Sequence, residues 1–291
     1  MLKLPDDPTS PIRLADWIEL TAILSSDGNA SRGDLERTLR RASLSEMIDD
    51  VAVEQKLLEV FEEIEQRWKA TASAYPFELG DYGILQTKST WREFPAYTFC
   101  LCLSYFGSPT PQPRKLFELV SGAAAKAFVY GNVIDFGFPR HALPAAFPDA
   151  VSQLCALIGE GDRYSGLSSL GQKDAKLDLV AWRDFPDRNP SKLLMLGQCA
   201  SGSDWEGKIR ELNPRAFFSN WTRETPASPL ISSLFIPHRI ERRKWKSIAR
   251  NSDGIVFDRC RIAYLAHGAN FNFGPCIDWV EEMLHEIWRT N

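Results

Sequence analysis

Apolar positions in the first part of the chain recur at helical spacing, and from about residue 140 they gather into short continuous runs. Ser10-Pro11 supplies a cap and a first-turn proline for "PIRLADWIELTAIL", in which Leu14, Trp17, Ile18 and Thr21 share a face. "SRGDLERTLRRA" follows a "DGNAS" loop and reads as a second helix. Ser43-x-x-Glu46 has the form of a capping box, opening a long helix from about Leu44 to Thr71. Val51, Leu57, Leu58, Phe61, Ile64 and Trp68 mark its apolar face; the acids opposite read as a solvated face. "STWREFPAYTFCLCLSYFG" and "RKLFELVSGAAAKAFV" predict two more helices around a Pro-rich loop, and "AFVYGNVIDFG" turns extended.

In the second part, "FPDAVSQLCALIGEG" predicts a helix ending at Gly159 or Gly161. "AKLDLVAWRDF" and "SKLLMLGQCA" predict strands joined by the turn "PDRNP". "SDWEGKIREL" reads as a helix capped by Ser203, "PLISSLFIP" as a strand, "ERRKWKSIAR" as a short helix and "GIVFDRCRIAYLA" as a strand. On that strand Arg259 and Arg261 share a face, to reach substrate or to pair with Asp258 and core acids. "CIDWVEEMLHEIW" closes the chain as an amphipathic helix.

Composition changes this picture little. With 291 residues, 44% hydrophobic and 25% charged, the chain has a globular profile with room for one large domain or two ordinary ones. We expect a helical N-terminal region over 1–125 and a second domain over 126–291. No apolar run reaches the roughly 20 residues of a membrane span, and the N-terminus lacks a signal-peptide pattern, so the expected location is cytoplasmic, with no membrane partner. Six cysteines show neither a CxxC pair nor zinc-ligand spacing and read as buried thiols. Charge is uneven: residues 1–140 hold 15 Lys+Arg and 20 Asp+Glu, and residues 141–291 hold 19 and 18. A polyanion would meet the second half, where Arg239, Arg242, Arg243, Lys244 and Lys246 surround Trp245. That basic stretch reads equally as a solvated helix.

The hairpin carries the candidate chemistry. If "PDRNP" centres on Arg188, opposed residues sum to 376, so Asp184 faces Lys192 and Asp178 faces Gln198. Both strands are apolar on both faces, so Asp178 and Gln198 are polar residues deep in a covered hairpin. A buried carboxylate needs compensation, and a metal ion is a strong form of it.

These residues and their order resemble the PD-(D/E)XK, or restriction-endonuclease-like, nuclease superfamily in its variant with Gln in the second motif. The resemblance covers about residues 140–265. It implies an α/β (α+β) fold, a mixed central sheet flanked by helices and preceded by the helical N-terminal region. Asp178 matches the first-motif aspartate, Gln198 the start of the second motif, and Glu160 a helical acid added to the metal site. The metal set it implies is Asp178, Gln198, Glu160 and the Cys199 carbonyl around Mg²⁺ (or Mn²⁺). The implied activity is hydrolysis of nucleic-acid phosphodiesters, DNA favoured over RNA, in a restriction, anti-phage or repair setting. The N-terminal region would serve a homodimer or a partner protein. The motif lysine falls at Ala200, so the catalytic cation is expected from Lys208, or from Lys176. Two alternatives stand beside this reading. One is a nuclease-like fold without catalysis, acting as a nucleic-acid-binding or assembly subunit. The other is a cysteine hydrolase using Cys199 with His238 or His267 as base.

Overall fold

A computed structural model of the chain describes residues 2–43, 50–88, 90–168 and 171–290. Its helices and strands divide into two units. The first comprises Met1–Gly107, Arg259–His267 and Asn272–Asn291; the second comprises Ser108–Asp258 and Gly268–Phe271.

In the first unit the Ser10 side chain accepts the Arg13 N–H and opens α1 (Pro11–Leu24). β1 (Asn29–Ser31), α2 (Arg32–Ser43) and α3 (Asp50–Thr71) follow. Glu46 and the expected start of the long helix lie outside the described residues. β2 (Phe77–Leu79) and β3 (Ile84–Thr87) complete a three-stranded antiparallel sheet in the order β1-β3-β2. So the region expected to be helical also contains a small sheet. α4 (Pro95–Phe106) is buried on nearly every face. α3 buries Leu57 and Ile64 of its expected apolar face, but the inward face is shifted from the one its apolar pattern suggests. Val51, Leu58 and Trp68 are exposed, whereas Arg67 is fully buried. The reason is electrostatic: Asp16 and Glu19 of α1 are also fully buried, and Arg67 lies 2.8 and 2.9 Å from them.

The second unit begins with α5 (Pro111–Val129), which has prolines in its first turn. β4 (Asn132–Asp135), α6 (Phe147–Ile158), β5 (Leu179–Arg183), β6 (Leu193–Cys199), α7 (Pro214–Trp221), β7 (Leu230–Phe235), α8 (Trp245–Ser252) and β8 (Gly254–Phe257) follow. Gly159, in the left-handed conformation, ends α6 as its sequence predicts. The five strands form one mixed sheet in the order β4-β5-β6-β7-β8. β4-β5 and β5-β6 are antiparallel; β6-β7 and β7-β8 are parallel. The fold is therefore mixed α/β. The hairpin register is the one the turn predicts, with Arg183 opposite Leu193 and Leu179 opposite Gly197. Val180, Trp182, Leu194 and Leu196 pack against α6, while α5 covers the other face. A side chain at Gly197 would meet Leu179 and Phe235 at 2.8 and 2.9 Å, which explains a glycine in mid-strand.

The expected boundary at 125/126 falls inside α5, whose packing on β4 and β5 keeps it whole in the second unit. The chain then returns to the first unit with α9 (Arg259–Ala266) and α10 (Gly274–Thr290). The run read as one strand is thus β8 followed by a helix. Among the described residues no helix is long and apolar enough to cross a membrane.

Candidate functional site

Three carboxylates converge on the α5 side of the sheet. α5 buries Leu116, Phe117, Val120 and Ala124, and Lys115 and Glu118 stand beside that buried stripe. Asp135 ends β4 opposite Leu179. Asp178 precedes β5 at an irregular point, where its carbonyl accepts both the Phe136 N–H (2.8 Å) and the Gly137 N–H (2.9 Å). Two residues of one strand facing one of the other form a bulge, a device that re-aims a side chain. Leu177 and Val180 consequently join the same core cluster, and the alternation from strand β5 does not continue through Asp178.

The cluster is organised around a lysine. Lys115 Nζ lies 2.7 Å from Glu118 Oε2 and 2.8 Å from Asp135 Oδ2, and it donates to the Gly137 carbonyl at 2.9 Å. The Lys115, Glu118 and Asp135 side chains are only 14–15% exposed. Asp178 Oδ2 accepts the Cys199 N–H at 2.6 Å. A side chain at Gly137 would run into Glu118 Oε2 and stand 3.2 Å from Asp178 Oδ1, so glycine here leaves both carboxylates in their present positions.

Burial and mutual repulsion set the proton affinities here. Burial pushes Glu118 up to about 7, with Lys115 pulling it back and the Asp135 and Asp174 charges adding to the rise. Burial also raises Asp135. Asp178 is held well above the usual carboxylate range by burial and then by the Glu118 charge, against the Cys199 N–H bond. Burial disfavours the Lys115 charge, but Asp135 and Glu118 outweigh it and hold the ammonium above its ordinary value.

One consequence can be measured on the folded protein. Because the pKa of Glu118 is higher folded than unfolded, its contribution to stability is fully present below the unfolded value of 4.5 and is lost as pH rises through about 7. The loss amounts to about 3 kcal/mol. Glu118→Gln should remove this share, so the variant's urea midpoint falls less between pH 5 and pH 8 than that of the natural chain. Identical pH dependence in the two proteins would show that Glu118 carries no displaced proton.

The residues singled out from sequence are placed unevenly. Gln198 is buried, but the β6 residue directed at the carboxylates is its neighbour Cys199. Successive strand residues face opposite sides, and Gln198 Nε2 donates instead to Glu211 Oε2 at 2.9 Å. Lys176 Nζ reaches the same Glu211 oxygen at 3.3 Å, away from the carboxylate cluster. Lys208 lies in a 3-10 turn (Trp205–Lys208), rather than in the expected helix, and pairs with Asp204 at 3.4 Å. Ala200 is packed among Trp205, Leu234 and Ile236, a place with no solvent for a lysine. Glu160 does not join the site. It accepts the Ser228 N–H and hydroxyl, and Ser228 Oγ accepts the N–H groups of Ser191 and Lys192. That pins the start of β6, six residues or roughly 20 Å along the strand from Gln198.

Of the basic stretch, Arg239 is consumed by an ion pair with Asp258, its side chain 7% exposed. Arg242, Arg243, Lys244 and Lys246 are exposed, with Arg243 paired to Glu241 and Lys244 near Glu206 and Glu241. Arg259 belongs to the first unit, where it binds Asp16.

Cys199 has the wrong electrostatics for a nucleophile. Burial, Asp178 and Glu118 all push its thiol well above the ordinary range, so the thiolate is disfavoured. His238 Nε2 donates toward the Ser201 and Gly202 carbonyls at 3.2 and 3.0 Å, and the His267 ring stacks on Phe94.

Sequence reading missed Lys115, Glu118 and Asp135. Lys115 and Glu118 at i and i+3 look like an ordinary surface pair. The available signal was their position on a helix leading directly into "NVID", an apolar strand that ends in an acid. No family model, no curated protein and no solved structure matches the chain.

Proposed function

We propose that the protein is a divalent-metal-dependent nuclease that hydrolyses phosphodiester bonds of DNA. The observation that carries this reading is the convergence of Glu118, Asp135 and Asp178 at the end of the β4-β5-β6 meander. Three partly buried carboxylates with raised proton affinity are unfavourable unless a cation compensates them. The chain order α6-β5-β6-α7-β7, an antiparallel pair joined through a helix to a parallel strand, is compatible with the resemblance to restriction-type nucleases.

Among the described residues no group of three His, Cys, Asp or Glu side chains stands ready to hold one ion. The ammonium of Lys115 lies instead between Glu118, Asp135 and the Gly137 carbonyl. The donors are all oxygen, as a hard cation such as Mg²⁺ requires. Glu118 and Asp178 would hold the ion once Lys115 moves aside, with Asp135 as the nearest further donor. When bound, the ion supplies Lewis acidity and a more acidic water. Lys115 then provides the positive charge beside the phosphate, the role that sequence reading gave to Lys208. Exposed Arg242, Arg243, Lys244 and Lys246 would carry phosphate contacts.

The test is a cleavage assay on plasmid, linear and single-stranded DNA and on RNA, with Mg²⁺, Mn²⁺ or EDTA. Cleavage in Mg²⁺ or Mn²⁺ that EDTA abolishes is the expected result. The absence of both cleavage and calorimetric metal binding would overturn the reading. Metal binding should release protons and tighten as pH rises through about 7, because the ion competes with the Glu118 proton.

A second reading rests on Lys115 itself. As a permanent counter-ion it makes the cluster a structural ion network in a non-catalytic nucleic-acid-binding subunit. Nucleic-acid binding without metal uptake would favour that reading.

A further inference from the structure

A cavity of about 540 Å³ runs beside α5 and includes Glu118 and Asp135 in its lining. Its α5 residues form one stripe, from Glu118 through Gly122 and Lys126 to Tyr130. Twelve residues of helix at about 1.5 Å each make this track roughly 18 Å long. Between its ends the walls are apolar, supplied by Ala123, Val133 and Leu179. The cavity therefore leads from the carboxylate cluster to the far end of α5.

Tyr130 at that far end is unusual. It caps α5 with φ 49° and ψ 50°, a left-handed conformation in which a bulky side chain is costly and glycine is the ordinary choice. The residue is 79% exposed, and the Arg183 guanidinium sits 5.2 Å from its ring centroid. Nothing in the packing of the unit requires an aromatic ring there. An exposed aromatic face with basic groups at hand, Lys126 and Arg183, is the arrangement by which proteins hold unpaired bases and their phosphates. The cavity volume is that of a small-molecule site, enough for single bases and far too small for a stacked duplex. Asn270, also in the lining, offers an amide to a base edge.

We propose that this cavity takes unpaired bases of a single nucleic-acid strand whose backbone reaches Glu118 and Asp135, so that the substrate is single-stranded or locally unpaired. The proposal rests on the nuclease reading and narrows its substrate class. Bases stack on Tyr130, Lys126 and Arg183 hold the phosphates there, and the apolar wall excludes water along the strand. A paired segment is cut only after its bases leave the stack.

The test is fluorescence anisotropy with a labelled single-stranded 12-mer and a hairpin duplex of the same sequence, in Ca²⁺, alongside the cleavage assay in Mg²⁺. The natural chain should bind the single strand at least about tenfold more tightly than the duplex. Ala127→Trp, at an exposed position lining the cavity, should reduce single-strand affinity about tenfold, and Tyr130→Ala should do the same. Both should leave the thermal midpoint and metal binding unchanged, since neither residue belongs to the carboxylate cluster. Tyr130→Gly, which relieves the backbone conformation, should lose the affinity while gaining stability. Equal binding of duplex and single strand would overturn the proposal, as would unchanged affinity in both Ala127→Trp and Tyr130→Ala. If those variants also cut DNA like the natural chain, the nuclease reading survives without the cavity. Binding of a mononucleotide as tight as the 12-mer would make the cavity a nucleotide pocket and overturn the strand proposal. If no nucleic acid binds or is cut and no metal binds, both fall.

Discussion

Arg259→Ala should destabilise the first unit by about 3–5 kcal/mol, among the largest losses available to a single substitution in this chain. The guanidinium is fully buried and grips Asp16 with two nitrogens, at 2.7 and 3.1 Å. Arg67 binds the same aspartate and adds Glu19, Glu63 and the Ile12 carbonyl. Glu19 Oε1 also accepts the hydroxyls of Tyr75 (2.6 Å) and Tyr97 (2.9 Å). Removing Arg259 leaves Asp16 as a carboxylate in a dry core, short of its bidentate partner. Adding Asp16→Asn should recover part of the loss, because it removes the charge left behind. Hydrogen exchange in α1, α3 and α9 measures both effects locally. A loss under 1 kcal/mol in Arg259→Ala would show that the network contributes little.

This network illustrates what the sequence conceals. Arg259 is 243 positions from Asp16, and no local pattern links "FDRCRIAYL" to "LADWIEL". The same run read as a strand because its apolar residues suit one, whereas the ion pairs and the packing of α9 against α3 and α4 hold it helical. Strands of three or four residues, such as "NAS" and "ILQT", are too short to display a period of two, so the small sheet could not be read. The hairpin register could be read, because a turn with a clear centre fixes it. The α1 cap and the Gly159 stop could also be read, because each rests on one or two local residues.

The candidate site was legible only in part, for a related reason. Asp178 stood out as an acid in an apolar run. Pairing it with Gln198 assumed regular alternation up to the strand end. Ala175 and Lys176, with φ of 55° and 67°, and the bulge at Phe136–Gly137 break that alternation. "KDAKLD" contains no glycine or proline to announce the irregularity. Glu160, a buried acid at a helix end, satisfies Ser228 instead of a metal.

Lys115→Ala should lower metal-dependent cleavage by roughly 10²–10³-fold, the usual effect of removing one group that stabilises transition-state charge. It should leave Mg²⁺ affinity unchanged or tighter. The ammonium now occupies the space between Glu118 and Asp135, so an incoming cation must displace it. Without it the two carboxylates repel more strongly and gain from a divalent ion. Asp178→Ala should behave differently, losing metal affinity together with cleavage. Lys208→Ala should change neither, since that lysine pairs with Asp204 in a 3-10 turn. Lys115→Arg separates charge from shape: it keeps the cation, so it should retain more cleavage than Lys115→Ala. If Lys115 is a structural counter-ion alone, Lys115→Ala lowers the thermal midpoint, and calorimetry shows no metal uptake in the natural chain or in the variant. Cleavage at the natural rate in Lys115→Ala would remove the lysine from the chemistry and return the question of the missing cation to Lys176, on the far side of the hairpin.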